Sequence, residues 1–209
     1  MIDEGVIKFN HVFAAHTGEI HSDDYVELEK IREVLYKKGL IGCYSDGIGF
    51  GNLSLKRDYS EFYAQSSNPQ FLISGTQTGN LPHLTGKHYT RVVDFNFQQN
   101  QVTVHGPVKA SSESLTHASI YQTSSQIECV IHIHNKNIWN ALIENNYPAI
   151  PKNIPYGTLE MANYAKEEVL NKSSEKLFVM KGHDEGVIFY NSNKQRCLEH
   201  VLEICDKFL

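Results

Sequence analysis

The stretch IECVIHIH, residues 127–134, decides how the second half of this chain is read. Side chains of a β-strand alternate between its two faces. Ile127, Cys129, Ile131 and Ile133 then share an apolar face suited to a core, and Glu128, Val130, His132 and His134 share the other. Residues two apart on one face lie roughly 7 Å apart. The rings of His132 and His134 can therefore converge on one point ~2 Å from a nitrogen of each, as zinc requires. A polar outer face that happens to carry two histidines fits the same spacing. A zinc site needs three or four ligands, so the choice rests on the rest of the chain.

Outward from this strand, the second half alternates. Residues 135–146, 158–172 and 194–209 read as helices, and KLFVM (176–180) and GVIFY (186–190) as strands. Before it, residues 112–124 read as a helix. The first half is richer in short strands, at 52–57, 71–76, 90–97 and 101–106, with a hairpin turning at Gln98–Asn100. A helix is expected from about Asp24 to Lys38, with Val26, Ile31, Val34 and Leu35 as its apolar stripe and Gly39 as its stop. The segment VIKFNHVF (6–13) stays open between strand and irregular structure. This order predicts an α/β fold with a central, mainly antiparallel sheet flanked by helices.

With 209 residues, no internal repeat and no long linker, the chain is expected to be one domain over 1–209, its core at about 22–208. Hydrophobic content of 41% and charged content of 21% are those of a globular protein. A net charge of −5 with scattered cations leaves no footprint for nucleic acid. The densest cationic group, Lys30, Arg32, Lys37 and Lys38, reads as a solvated helix face. No run reaches the ~18 apolar residues of a membrane span, and the start is acidic where a signal peptide is basic. Cys43, Cys129, Cys197 and Cys205 form no CxxC pair and read as small buried hydrophobes in a reducing compartment. Together these features predict a cytoplasmic protein.

Four segments carry polar chemistry: GFGNLS (49–54), SGTQTG (74–79), KASSESLTH (109–117), and HIH (132–134) with a later KGHDEG (181–186). Each alone has a plain reading: a turn, a polar loop, a helix cap at Ser111 or Ser112, a surface histidine. Together and in this order they resemble the class II aldolase/adducin family. The residues that carry the resemblance are Gly51-Asn52-Leu53-Ser54, Thr78-Gly79, Ser111-Ser112-Glu113 with His117, His132-Ile133-His134 and Gly182-His183, with Tyr156-Gly157-Thr158 also similar. The likeness spans roughly residues 25–205.

The resemblance implies a three-layer α/β/α fold. It implies zinc, or another divalent metal, held by His132, His134 and His183, with Glu113 as catalytic acid/base. It implies a small, possibly phosphorylated substrate held by Asn52, Thr78, Gly79, Ser111 and Ser112, and assembly as a homotetramer. Three neutral imidazoles leave a metal with an open position, as catalytic sites do. The start of the helix after Ser112 offers unpaired amides to an anion. The expected activity is that of a lyase breaking or making a C–C bond beside a carbonyl. Dehydration, epimerisation or decarboxylation on the same site is the alternative, and a metal-free adducin-like interaction module is the alternative of another class. Two departures stand out. Asp184 and Glu185 intervene where the family usually has glycine after the third histidine, which would bring one of these carboxylates near the metal. The chain also ends soon after its last helix, without the tail tyrosine some relatives use. Tyr156, Tyr89 and Tyr121 are then the candidates for a second proton donor.

Overall fold

The computed structural model describes residues 6–170 and 174–209. In chain order it contains strand β1 (Asn10–His16), helix α1 (Ser22–Lys37), strands β2 (Gly42–Cys43), β3 (Gly49–Phe50), β4 (Asn52–Lys56), β5 (Phe71–Ser74), β6 (Tyr89–Asn96) and β7 (Gln101–Gly106), then helix α2 (Ser114–Thr123). Strand β8 (Cys129–His134), helix α3 (Lys136–Glu144), strand β9 (Ala149–Ile150), helix α4 (Leu159–Tyr164), strands β10 (Leu177–Met180) and β11 (Gly186–Asn191) and helix α5 (Lys194–Phe208) complete it. Strands β2 and β3 pair with each other; the other nine form one sheet in the order β1-β7-β6-β5-β4-β8-β11-β10-β9.

That sheet is mixed, which corrects the expectation of a mainly antiparallel one. Both edges pair in parallel, β1 on β7 and β9 on β10. The pairs between them are antiparallel. The parallel edges come from the segments whose patterns were weakest. β1 arises from the ambiguous N-terminal stretch, and β9 is only two residues long.

Two apolar clusters cover the two faces. On one, Leu28, Ile31 and Leu35 of α1, Ile138 and Leu142 of α3 and Val201 of α5 meet Leu53, Ile131, Ile133 and Val187 of the strands. On the other, Leu115 of α2 and Met161 of α4 meet Ile73, Val130 and Ile188. Every residue of β8 is buried, because the strand lies between β4 and β11 and under both helical layers. His132 and His134 therefore do not lie on a wetted face; they enter the interior on the α2/α4 side.

Local chemistry sets the helix ends. His21 Nδ1 accepts from the Asp23 amide at the start of α1, and Asp23 and Asp24 occupy its positive end. Asn135 and Asn193 cap α3 and α5 through their side-chain oxygens. The apolar stripe of α1 is corrected at one place: Val26 is exposed, and the buried row is Leu28, Ile31, Arg32 and Leu35, spaced i, i+3, i+4, i+7. The helix expected over 158–172 forms as α4 followed by a π-helical run at Ala165–Leu170, and its expected end at Asn171 and Lys172 lies outside the described residues. Cys129, Cys197 and Cys205 are buried as free thiols, whereas Cys43 is exposed.

Candidate functional site

His132 and His134 project from β8, and His183 comes from the tight turn between β10 and β11. That turn is closed by hydrogen bonds from His183 N to Met180 O and from Gly186 N to His183 O, 3.0 Å each. Gly186 is opposite His134 in the ladder. A Cβ at Gly186 would run into the His183 ring and crowd His132 Nε2, so glycine lets the third ring close in. The potential ligand atoms of the three histidines lie within 4.8 Å of one another, and ring centroids are 4.6 to 5.2 Å apart.

This cluster could hold a divalent metal ion. Burial drives His132 down to about pKa 3. It also drives His134 and His183 well below the ordinary value, with neighbouring imidazoles adding to the effect in both. All three rings are neutral at pH 7, the form that ligates. His132 Nε2 is buried with no hydrogen-bond partner among the described residues. An apolar core offers no reason to collect three imidazoles with a nitrogen in that state, because unmet polar atoms are costly there.

Glu113 immediately precedes α2 and is 1% exposed. Burial pushes its carboxyl up to about 7, against the lowering effects of the Thr116 hydroxyl, the Lys8 charge and the Gly157 amide. Thr116 Oγ1 donates to Glu113 Oε2 at 3.0 Å. Tyr156 and Gly157 tie this carboxyl to the histidines. The Tyr156 ring stacks on His183 with centroids 4.2 Å apart. Gly157, at φ +63°, lies against Ser112 O and Glu113 Oε1, where a side chain would not fit.

Asn52, Thr78, Gly79, Ser111 and Ser112 line one pocket, together with Gly49, Gly51, Gly75, Thr76 and Gln77. Its lining contains no lysine or arginine. Asn52 plays two parts, because its side-chain amide also lies 3.2 Å from His132 Nδ1. The His117 amide donates to the Glu113 carbonyl at 3.0 Å, while its ring is engaged elsewhere. Its Nδ1 lies 2.7 Å from Ser54 Oγ, which in turn meets Tyr121 OH at 2.8 Å, all fully buried in the wall. Tyr89 likewise bonds Glu29 in the core, and Lys109 is exposed. Of the tyrosines considered, only Tyr156 borders the histidines.

Several contributors escaped the sequence reading. Arg32 is not on a solvated face. It is 1% exposed and donates to the carbonyls of Thr78, Leu81 and Pro82, beneath the pocket loop. His11 Nε2, on β1, accepts from Ala110 N at 3.0 Å and so props the segment leading to Ser111. Tyr44 reaches His134 Nδ1 at 2.9 Å. The i, i+3 spacing of Glu29 and Arg32 was the one available hint for the first; local patterns held none for the others, whose partners lie about 90 residues away. Of the two acids after His183, Glu185 turns towards the site, while Asp184 points out to Lys136.

The fold and the site together define a layered α/β protein with a buried three-histidine cluster that could hold a metal, an acid beside it and a polar pocket. The chain belongs to the Class II Aldolase and Adducin N-terminal domain family, whose sequence model matches residues 28–192. Solved structures share the fold at low identity. A sugar-phosphate aldolase from Thermotoga maritima has TM-score 0.64 at 16% identity, over 87% of this chain and 90% of that one. An L-fuculose 1-phosphate aldolase has TM-score 0.61 at 20% identity, over 90% and 85%. YgbL of Escherichia coli, a putative aldolase/epimerase/decarboxylase, has TM-score 0.60 at 16% identity, over 86% and 83%. No curated protein matches the sequence.

Proposed function

We propose that this protein is a metal-dependent lyase of the aldolase type, one domain over residues 1–209, acting on a small hydroxy-carbonyl compound such as a sugar phosphate. His132, His134 and His183 hold the ion, zinc by preference, since an all-imidazole set suits it. A divalent ion bound there supplies Lewis-acid polarisation of a substrate carbonyl. Glu113 exchanges the proton at the adjacent carbon. Its carboxyl, raised to about 7, is matched to work in either direction near neutral pH. Asn52, Thr78, Gly79, Ser111 and Ser112 hold the substrate's phosphate through amides and hydroxyls rather than full charges. The observation that carries the reading is the gathering of three buried, neutral imidazoles within 4.8 Å in a chain of this family.

Dehydration, epimerisation or decarboxylation on the same site is the second reading, favoured by the likeness to YgbL. The metal-free interaction module is disfavoured, because a scaffold has no physical need for converging imidazoles. The proposal extends to a homotetramer in the cytoplasm. Metal analysis of purified protein and of His132→Ala tests the centre. Incubation with ketose phosphates and with dihydroxyacetone phosphate plus aldehydes, read by product mass, tests the reaction. A folded wild type that takes up no metal sinks the enzyme reading in favour of the module.

A further inference from the structure

Glu185 is the second of the two acids between His183 and Gly186, and its backbone sits at φ +70°. A residue with a Cβ is strained there, and glycine would not be. The turn is fixed in place, since Glu185 O accepts from Asn135 N at 3.1 Å, just after β8. Strain kept beside a site points to a demand on the side chain. That side chain accepts a hydrogen bond from the Tyr44 hydroxyl at Oε2, 3.3 Å away. The same hydroxyl lies 2.9 Å from His134 Nδ1, and the Tyr44 ring is braced by Phe50 at 4.7 Å between centroids.

Proton counting assigns the direction. A phenol carries one proton, and an ionised carboxylate only accepts. The Tyr44 proton therefore points to Glu185, and the Tyr44 oxygen accepts from His134 Nδ1–H. That tautomer leaves the lone pair of His134 on Nε2, the buried nitrogen turned away from Tyr44. We infer that Glu185 and Tyr44 form a relay of positioning residues that fixes the His134 tautomer and so sets the affinity of the three-histidine centre for its ion. This rests on the metal-site reading above. Neither residue touches the ion; both act through one ring, as outer partners of ligating histidines do.

The test uses chelator-stripped full-length protein titrated with Co(II), read by visible absorption, beside thermal unfolding of the stripped forms. Tyr44→Phe and Glu185→Gly each weaken Co(II) binding about tenfold or more. Glu185→Gln, whose amide oxygen still accepts, stays close to wild type. Metal-free Glu185→Gly melts no lower than wild type, because glycine relieves the backbone. In the Tyr44→Phe background, Glu185→Gly has no further effect, since the route through the Tyr44 hydroxyl is gone. Unchanged affinity in Tyr44→Phe or Glu185→Gly overturns the relay. So does a full second loss in the double variant, which would mean that Glu185 acts on the ion directly. A wild type that binds no Co(II) defeats the metal-site reading itself, and the relay with it.

Discussion

Asn52 and His132 stand opposite one another on β4 and β8, and the Asn52 side-chain nitrogen comes within 3.2 Å of His132 Nδ1. Asn52 Oδ1 is meanwhile buried without a partner among the described residues. A half-turn of the amide would let Oδ1 accept from Nδ1–H, satisfying both groups and leaving Nε2 able to ligate. Metal loading should select that orientation. Asn52→Asp is expected to keep metal affinity, because a carboxylate also accepts from Nδ1–H, while inorganic phosphate binds more weakly beside the new charge. Asn52→Leu should lose about tenfold or more in metal affinity. Zinc competition and phosphate titrations measure both, and a leucine variant that binds metal as wild type does would refute the pairing.

Glu113→Gln should lower turnover about 10²- to 10⁴-fold while the protein still binds its ion. Stability should move the other way. The folded carboxyl titrates near 7 and the unfolded one near 4.5, so its protonated form is preferred in the fold. That preference is fully present below 4.5 and is lost as pH rises through 7. Glutamine mimics the protonated form at every pH. Metal-free Glu113→Gln should therefore exceed wild type at pH 8 by up to about 3 kcal/mol, with the difference closing towards pH 4.5. Urea unfolding at the two pH values decides it; an equal loss of stability at both would mean that the carboxylate is a structural group.

Four buried histidines, 117, 132, 134 and 183, all have folded pKa values depressed by burial. Below the unfolded value of 6.5 the unfolded chain binds the extra protons. Their stabilisation is thus complete above 6.5 and lost as pH falls towards the folded values, each ring costing ~1.4 kcal/mol per pH unit in that window. Stripped protein should unfold steeply by about pH 5, earlier than carboxylate protonation alone would bring about. Circular dichroism across a pH series checks this. Retention of the native signal to pH 4 would show that the rings are not the acid-sensitive groups.

How much of this was legible in the sequence follows from the range of each signal. The IECVIHIH alternation divided β8 into a Cys129/Ile131/Ile133 face and a histidine face, because period two is local, but it misplaced Ile127, which precedes the strand and packs in the cluster on the other side of the sheet. It did not reveal that both faces are covered, since burial of β8 depends on β4, β11 and two helix layers drawn from the whole chain. Motif order brought Asn52, Ser111 and Ser112 to one pocket. The edge strands β1 and β9 were weak for the same reason that they pair in parallel: each is placed by a long connection, not by a hairpin. Tyr44 and His11 reach the site neighbourhood through side-chain contacts that no spacing encodes.

Arg32 is the sharpest instance, and it carries the last prediction. Its charge was assigned to solvent along with Lys30, Lys37 and Lys38. In the fold it sits one turn from Glu29 on the buried stripe of α1, 3.6 Å from that carboxylate, and donates to three carbonyls of residues 78–82. Glu29 in turn accepts from Leu84 N and Tyr89 OH. The pair thus clamps both arms of the loop that follows Thr78 and Gly79. Arg32→Met removes the cation, leaves Glu29 buried without it and strips three carbonyls of a donor, a change expected to cost about 3–5 kcal/mol. Arg32→Met combined with Glu29→Gln should cost less than the sum of the singles, because no uncompensated charge remains. Phosphate affinity should fall in both Arg32→Met proteins even where they are folded, since the loop loses its anchor, whereas Co(II) affinity should not. Equal phosphate affinity in folded Arg32→Met would confine the residue to stability; parallel loss of cobalt binding would mean that its influence is not confined to the loop it anchors.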